Sequence, residues 1–271
     1  MITKRVLLSP YALFWGVAFT YFWIFMGAFV MSANVPKVAA VYYTAAWFGT
    51  VLLLSSSSFA VSMSYMLAFQ TGGLPYLMRF SKLTPRYYLA SLYAASLLVT
   101  LVVAAVTTPG VILLFSYHFG EVITPASWGL AILSATLAGA FYIPFVLLIE
   151  ELTLKLSPKV QTAIPFVPLM LSYLSAFTYI NLEVGYAVYL DPFMAIDALA
   201  VQSFLTNRMP LNYASLTTPK YFLLGGTSRG PYFDPALAIA SVLAWVAVLS
   251  LASMALFRRL YYRSPEEARY L

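Results

Sequence analysis

The sequence predicts an all-α integral membrane protein with six transmembrane helices. Three observations carry this. Of 271 residues, 62% are hydrophobic and 9% charged, against roughly 45–50% and about 25% in a soluble domain. Mean hydropathy is +0.85. Stretches without Asp, Glu, Lys or Arg recur at lengths that suit a bilayer crossing, which takes about 20 residues in a helix.

The predicted spans run from Tyr11 to Ala33, Val38 to Phe69, Tyr87 to Tyr117, Ala126 to Ile149, Thr162 to Leu182 and Pro235 to Phe257. Spans two and three exceed the hydrocarbon thickness, so tilt or extension beyond the membrane is expected. Thr107-Thr108-Pro109-Gly110 falls inside span three, where a proline removes a backbone donor and should kink the helix or end its regular part. The apolar core of span one is too long for a cleaved signal peptide, and no small-residue cleavage pattern follows it. No internal repeat, low-complexity linker or soluble domain is visible, so residues 1–271 read as one membrane domain.

Cations set the orientation. With six spans, one side holds Lys4, Arg5, Arg79, Lys82, Arg86, Lys155, Lys159, Arg258, Arg259, Arg263 and Arg269. The other side holds Lys37, Arg208, Lys220 and Arg229, and the acidic residues divide almost evenly. Both termini are therefore expected in the cytoplasm of a multi-pass protein of the cell membrane. The formal charge of +6 is a topology signal with membrane lipid as its counterpart, and nucleic acid is not an expected partner.

Two connecting segments stand out. Thr71–Tyr88 opens on Gly72-Gly73 and Pro75 and carries Arg79, Lys82 and Arg86. On a helix over Leu74–Leu83, Leu74, Leu77, Met78 and Phe80 share a broad face and the cations gather on another, until Pro85 limits the helix. This pattern suits an interfacial helix facing lipid phosphates and equally a docking element for a cytoplasmic protein. The second segment, Glu183–Asp234, holds no span-length apolar run yet is rich in Phe, Tyr, Leu and Ala. Within it Asp191 is an N-cap and Pro192 opens a helix, with Phe193, Ile196, Leu199, Ala200 and Phe204 at helical spacing. A short amphipathic helix at or just inside the outer interface is expected, followed by turns over Gly225–Pro235.

Taken together, these features resemble the membrane subunit of a type-2 ABC exporter. Members of that family have six spans with cytoplasmic ends and a short amphipathic coupling helix between spans two and three. Here "GGLPYLMRFSKLTPRYYLASLY" takes that place, with the family's "L-x-x-T-P" tendency kept loosely as Leu83-Thr84-Pro85, where Leu stands next to Thr. After span five the family has an "N-P-[LF]" element opening a short re-entrant helix, and here Asp191-Pro192-Phe193 stands there with Asp in place of Asn. A long interfacial helix is common before span one, where this sequence has only Met1–Pro10.

The resemblance implies a coupling helix whose Leu74, Leu77, Met78, Arg79, Phe80 and Lys82 meet a cytoplasmic ATP-binding cassette subunit. It implies a second permease subunit, identical or different. ATP and Mg would be bound by the partner ATPase, and no cofactor by this chain. The sequence has no G-x-x-x-x-G-K-[ST] stretch, so it lacks that means of cradling ATP phosphates.

Further candidates are weaker. "LLLSSSSFAVSMSYM" puts six serines into span two. Ser55, Ser58, Ser62 and Tyr65 align on one face and are candidates for a translocation path or a permease–permease seam, whereas serines also bond their own helix carbonyls. His118 lies near Glu121 without the three or four ligands a metal site takes, and reads as an interfacial side chain. Glu150 and Glu151 read as charges ending span four, with a role in receiving a partner's cation as the alternative. Arg258-Arg259 with Tyr261-Tyr262 reads as a cytoplasmic anchor. With one histidine, no cysteine and no carboxylate in the spans, enzymatic acid–base chemistry is not expected. Nor is ion-coupled transport, which places ionisable groups within the membrane. The alternatives to the exporter subunit are a stand-alone six-span carrier or channel for a neutral substrate, and a structural membrane protein.

Overall fold

The computed structural model describes residues 14–71, 80, 84–153, 163–212 and 231–261. The chain is all-helical among them. The helices are α1 (Phe14–Val30), α2 (Ala40–Thr71), α3 (Pro85–Phe119), α4 (Trp128–Thr153), α5 (Val167–Asn181), α6 (Pro192–Phe204) and α7 (Pro235–Tyr261). Five of them, α2, α3, α4, α5 with its leading turn Ile164–Phe166, and α7, are long and apolar enough to cross a membrane. The described part of α1 is shorter than a full crossing and starts and ends in wide π turns, at Phe14–Ala18 and Met26–Val30.

Local chemistry fixes the ends of α3. Thr84 is extended and its hydroxyl accepts from the Tyr87 backbone N–H, with Pro85 at the first turn; both satisfy the open donors of a helix start. At the other end Gly120 takes the left-handed conformation, φ 72°, and its N–H closes on the Ser116 carbonyl, a turn that costs glycine little.

Pro109 does not end α3, which continues through it to Phe119. A neighbouring helix packs against the chain here. Gly110 lets the Tyr21 ring of α1 lie so close that an added Cβ would stand 2.7 Å from it. The Tyr21 hydroxyl donates to the Val106 carbonyl at 2.7 Å, so a neighbouring helix braces the turn that the proline weakens.

The bundle has a distinct interior. α2 is packed against α3, α4, α5 and α6, and α4 against α3, α6 and α7. In the most apolar window 72% of α2 residues are buried, against 22% in α7, so α2 is the central helix and α7 lies at the rim. The rim helices expose large apolar side chains, Leu98 and Leu113 of α3 and Leu243 and Leu251 of α7 among them. That is the surface that lipid would cover.

α6 departs from expectation. All its side chains except Met194 are buried, including Asp197, Gln202 and Ser203. An amphipathic helix at an interface would expose its polar face. α6 instead sits inside the bundle against α2, α4, α5 and α7. The spacing of Phe193, Ile196, Leu199, Ala200 and Phe204 was a true helical signal, but the polar side of the helix is enclosed as well.

Candidate functional site

The polar heart of the molecule surrounds α6. Asp191 begins it as predicted, extended and accepting from the backbone N–H of Phe193 at 2.8 Å and of Met194 at 3.4 Å. Its second oxygen accepts from the Ser175 hydroxyl of α5 at 2.8 Å. Phe193 then packs edge-on against Phe141 and Phe145 of α4. The Asp191-Pro192-Phe193 element thus ties the start of α6 to two neighbouring helices.

One and a half turns further along, Asp197 is fully enclosed, with 0% of its surface exposed. Neither carboxyl oxygen has a hydrogen-bond partner. The carboxyl group lies against Gly49 of α2, where a Cβ would collide with it and would stand 3.0 Å from the Asp197 carbonyl oxygen. Burial pushes the Asp197 carboxyl well above the ordinary carboxylate range, and the charge of Asp191 adds to this, since both oppose a second negative charge there.

Tyr142 of α4 completes the cluster. It lies within electrostatic reach of both Asp191 and Asp197. Its hydroxyl meets Ser172 of α5 in a short hydrogen bond and approaches the Leu53 carbonyl of α2 at 3.4 Å. Ser172 donates to the Pro168 carbonyl at 2.6 Å, so the Tyr142 proton is the one left for the pair. α2, α4, α5 and α6 thus all contribute to one enclosed polar cluster.

The predicted residues fare differently. Leu74, Leu77, Met78, Arg79 and Lys82 lie outside the described residues; Phe80 is exposed. Ser55, Ser58 and Ser62 are buried in α2, but so are Ser56, Ser57 and Ser64, because α2 is central and all its faces are covered. Ser55 donates to the Leu52 carbonyl, Ser57 to Leu54 and Ser62 to Ser58. These three follow the self-bonding reading, while the Ser58 hydroxyl has no partner. Tyr65 is half-buried, its ring 6.3 Å from that of Phe166.

Ser64 leaves its own helix and donates to Glu150 in a short bond. Both Glu151 oxygens are sealed from solvent without a hydrogen bond. His118 pairs with Ser32 at 2.9 Å and stacks edge-on with Phe29 and Phe119, so it fastens α1 to α3. Among the described residues no group of three or more His, Cys, Asp or Glu gathers in metal-binding distance.

Asp197 is the residue the sequence reading missed. Its signal was present: one carboxylate in an otherwise uncharged run from Pro192 to Phe204. Assigning that helix to the outer interface gave the carboxylate water it does not have.

No family model, curated protein or solved structure matches this chain.

Proposed function

We propose that this chain is the membrane-spanning permease subunit of an ATP-driven exporter of the type-2 ABC class, working as a pair of permeases above two separate ATP-binding subunits. The observation that carries the reading is α6: a short helix, opened by Asp191-Pro192-Phe193, buried in the bundle between α5 and α7. The resemblance places a re-entrant helix at that point of the chain. The order of the long helices supports it, as do the basic segment between α2 and α3 and the missing phosphate-binding motif. In this reading α1 is a sixth crossing, both termini are cytoplasmic, and the segment around Leu77 and Phe80 is the coupling helix. Nucleotide-driven closure of the ATPases pushes on that segment and changes access to the bundle from one side of the membrane to the other.

The test is copurification of the full chain with a separate ATPase. Leu77→Asp and Phe80→Asp are expected to abolish the complex while the variants elute from size exclusion like the parent. Nucleotide-independent transport by this chain alone would refute the proposal.

A stand-alone carrier is the second reading, and Asp197 favours it. Ion-coupled carriers keep ionisable groups enclosed among their helices, and Asp197 is such a group. This reading predicts flux in liposomes that contain no ATPase.

A further inference from the structure

We propose that Asp197 is a proton-binding site: its carboxyl group carries a proton inside the bundle at neutral pH, and releases it to water only when α6 shifts away from α2. The inference is independent of whether transport is driven by a motor or by the chain alone.

Three features of the site carry it. Asp197 is wholly enclosed and neither oxygen is hydrogen-bonded. An ionised carboxylate in such a place needs a cation or several donors, and the described residues bring neither to it. The carboxyl group is also held in place: it fits against Gly49, where any side chain would displace it. Finally, its neighbours among the described residues oppose a charge and supply none of the opposite sign. Asp191, at the start of the same helix, uses its oxygens on Ser175 and the backbone of Phe193 and Met194.

The elements packed on α6 give the same answer. α4 contributes Tyr142, whose hydroxyl is engaged with Ser172 and Leu53. α5 contributes Tyr179, whose hydroxyl turns to the Met209 sulfur at 3.8 Å. The turn Gly185–Tyr189 contributes Tyr189, which accepts from the Asp234 N–H at 2.7 Å. α2 has no charged residue between 40 and 65, and α7 none between 235 and 256. A metal cation is a poorer occupant than a proton. An alkali or alkaline-earth ion takes about six oxygen ligands, and the nearest other carboxylate has its oxygens committed to donors.

Deprotonation would leave an unpaired charge in the core. The carboxylate and its proton therefore part only when water reaches α6, so the filled and empty states of the site differ in how α6 is seated. Protonation and the position of α6 are linked in that sense.

The chain has three aspartates, Asp191, Asp197 and Asp234, which makes the test direct. The full-length protein, labelled with carbon-13 at the aspartate side-chain carboxyl and reconstituted in lipid nanodiscs, is titrated by NMR in sodium-free buffer. The expected result is one signal in the protonated position at neutral pH. Sodium leaves the protonated signal unchanged, and Asp197→Asn removes it. If Asp197→Asn does not fold, Asp191→Asn and Asp234→Asn assign the signal by elimination, and it should survive in both. Three carboxylate signals at neutral pH would overturn the proposal. So would a protonated signal that persists in Asp197→Asn or is lost in Asp191→Asn or Asp234→Asn. Loss of the protonated signal on adding sodium would overturn it too, in favour of a metal-cation site.

Discussion

Gly49→Ala tests the packing that encloses the site. In the structure the new methyl group overlaps the Asp197 carboxyl and stands 3.0 Å from the Asp197 carbonyl oxygen. Backbone of a buried helix cannot swing aside as a flexible side chain does. Overpacking of this kind costs about 1–3 kcal/mol, and a clash that ends on backbone belongs in the upper half of that range. Replacing glycine with alanine inside a helix returns up to about 1 kcal/mol of propensity. The net expectation is a loss of about 1–2 kcal/mol. The assay is equilibrium unfolding in mixed micelles, with Gly129→Ala alongside as the control. Gly129 lies in the exposed first turn of α4 with nothing within 4 Å of an added Cβ, so there the propensity gain is expected alone. A double variant isolates the contact. With Asp197→Ala in the background, Gly49→Ala meets only the carbonyl oxygen, and about 1 kcal/mol of the loss should disappear as coupling. If Gly49→Ala proves as stable as Gly129→Ala, α6 is not seated against α2 and the enclosure of Asp197 falls with it.

Other predictions follow from the same geometry. Asp191→Ala removes the acceptor for the Phe193 and Met194 N–H groups and for Ser175, and should cost about 1–2 kcal/mol in the same unfolding assay, with Asp191→Asn recovering most of it. Tyr142→Phe deletes the hydroxyl shared with Ser172 and Leu53, for an expected loss of about 0.5–1.5 kcal/mol without a change in helix content by circular dichroism. Gln202 is a buried clamp whose amide donates to the Asn207 carbonyl at 2.9 Å and accepts from the Met209 N–H at 2.9 Å. Gln202→Ala leaves both unmet, costs about 1–3 kcal/mol, and should speed hydrogen exchange at the Met209 amide by a corresponding factor.

What the sequence determined by itself is what depends on local chemistry. Uncharged runs of sufficient length became helices at the predicted places, because in an apolar medium the backbone must bond to itself. Asp191 and Pro192 start α6, and Thr84 and Pro85 start α3, because a capping oxygen and a fixed φ act within three residues. The self-bonding of Ser55, Ser57 and Ser62 is likewise local. What only the tertiary structure decided is which surfaces meet. Periodicity separates apolar from polar faces of a helix but does not tell water from the interior of a bundle. For α6 both sides are protein, and Asp197 moved from an expected interface to the core. Beside Pro109, α3 is met by Tyr21, whose hydroxyl arrives from a helix 85 residues earlier in the chain. Such contacts leave no spacing in the sequence, because each is a fit between residues on separate helices, here between a glycine on one and a bulky or polar side chain on the other.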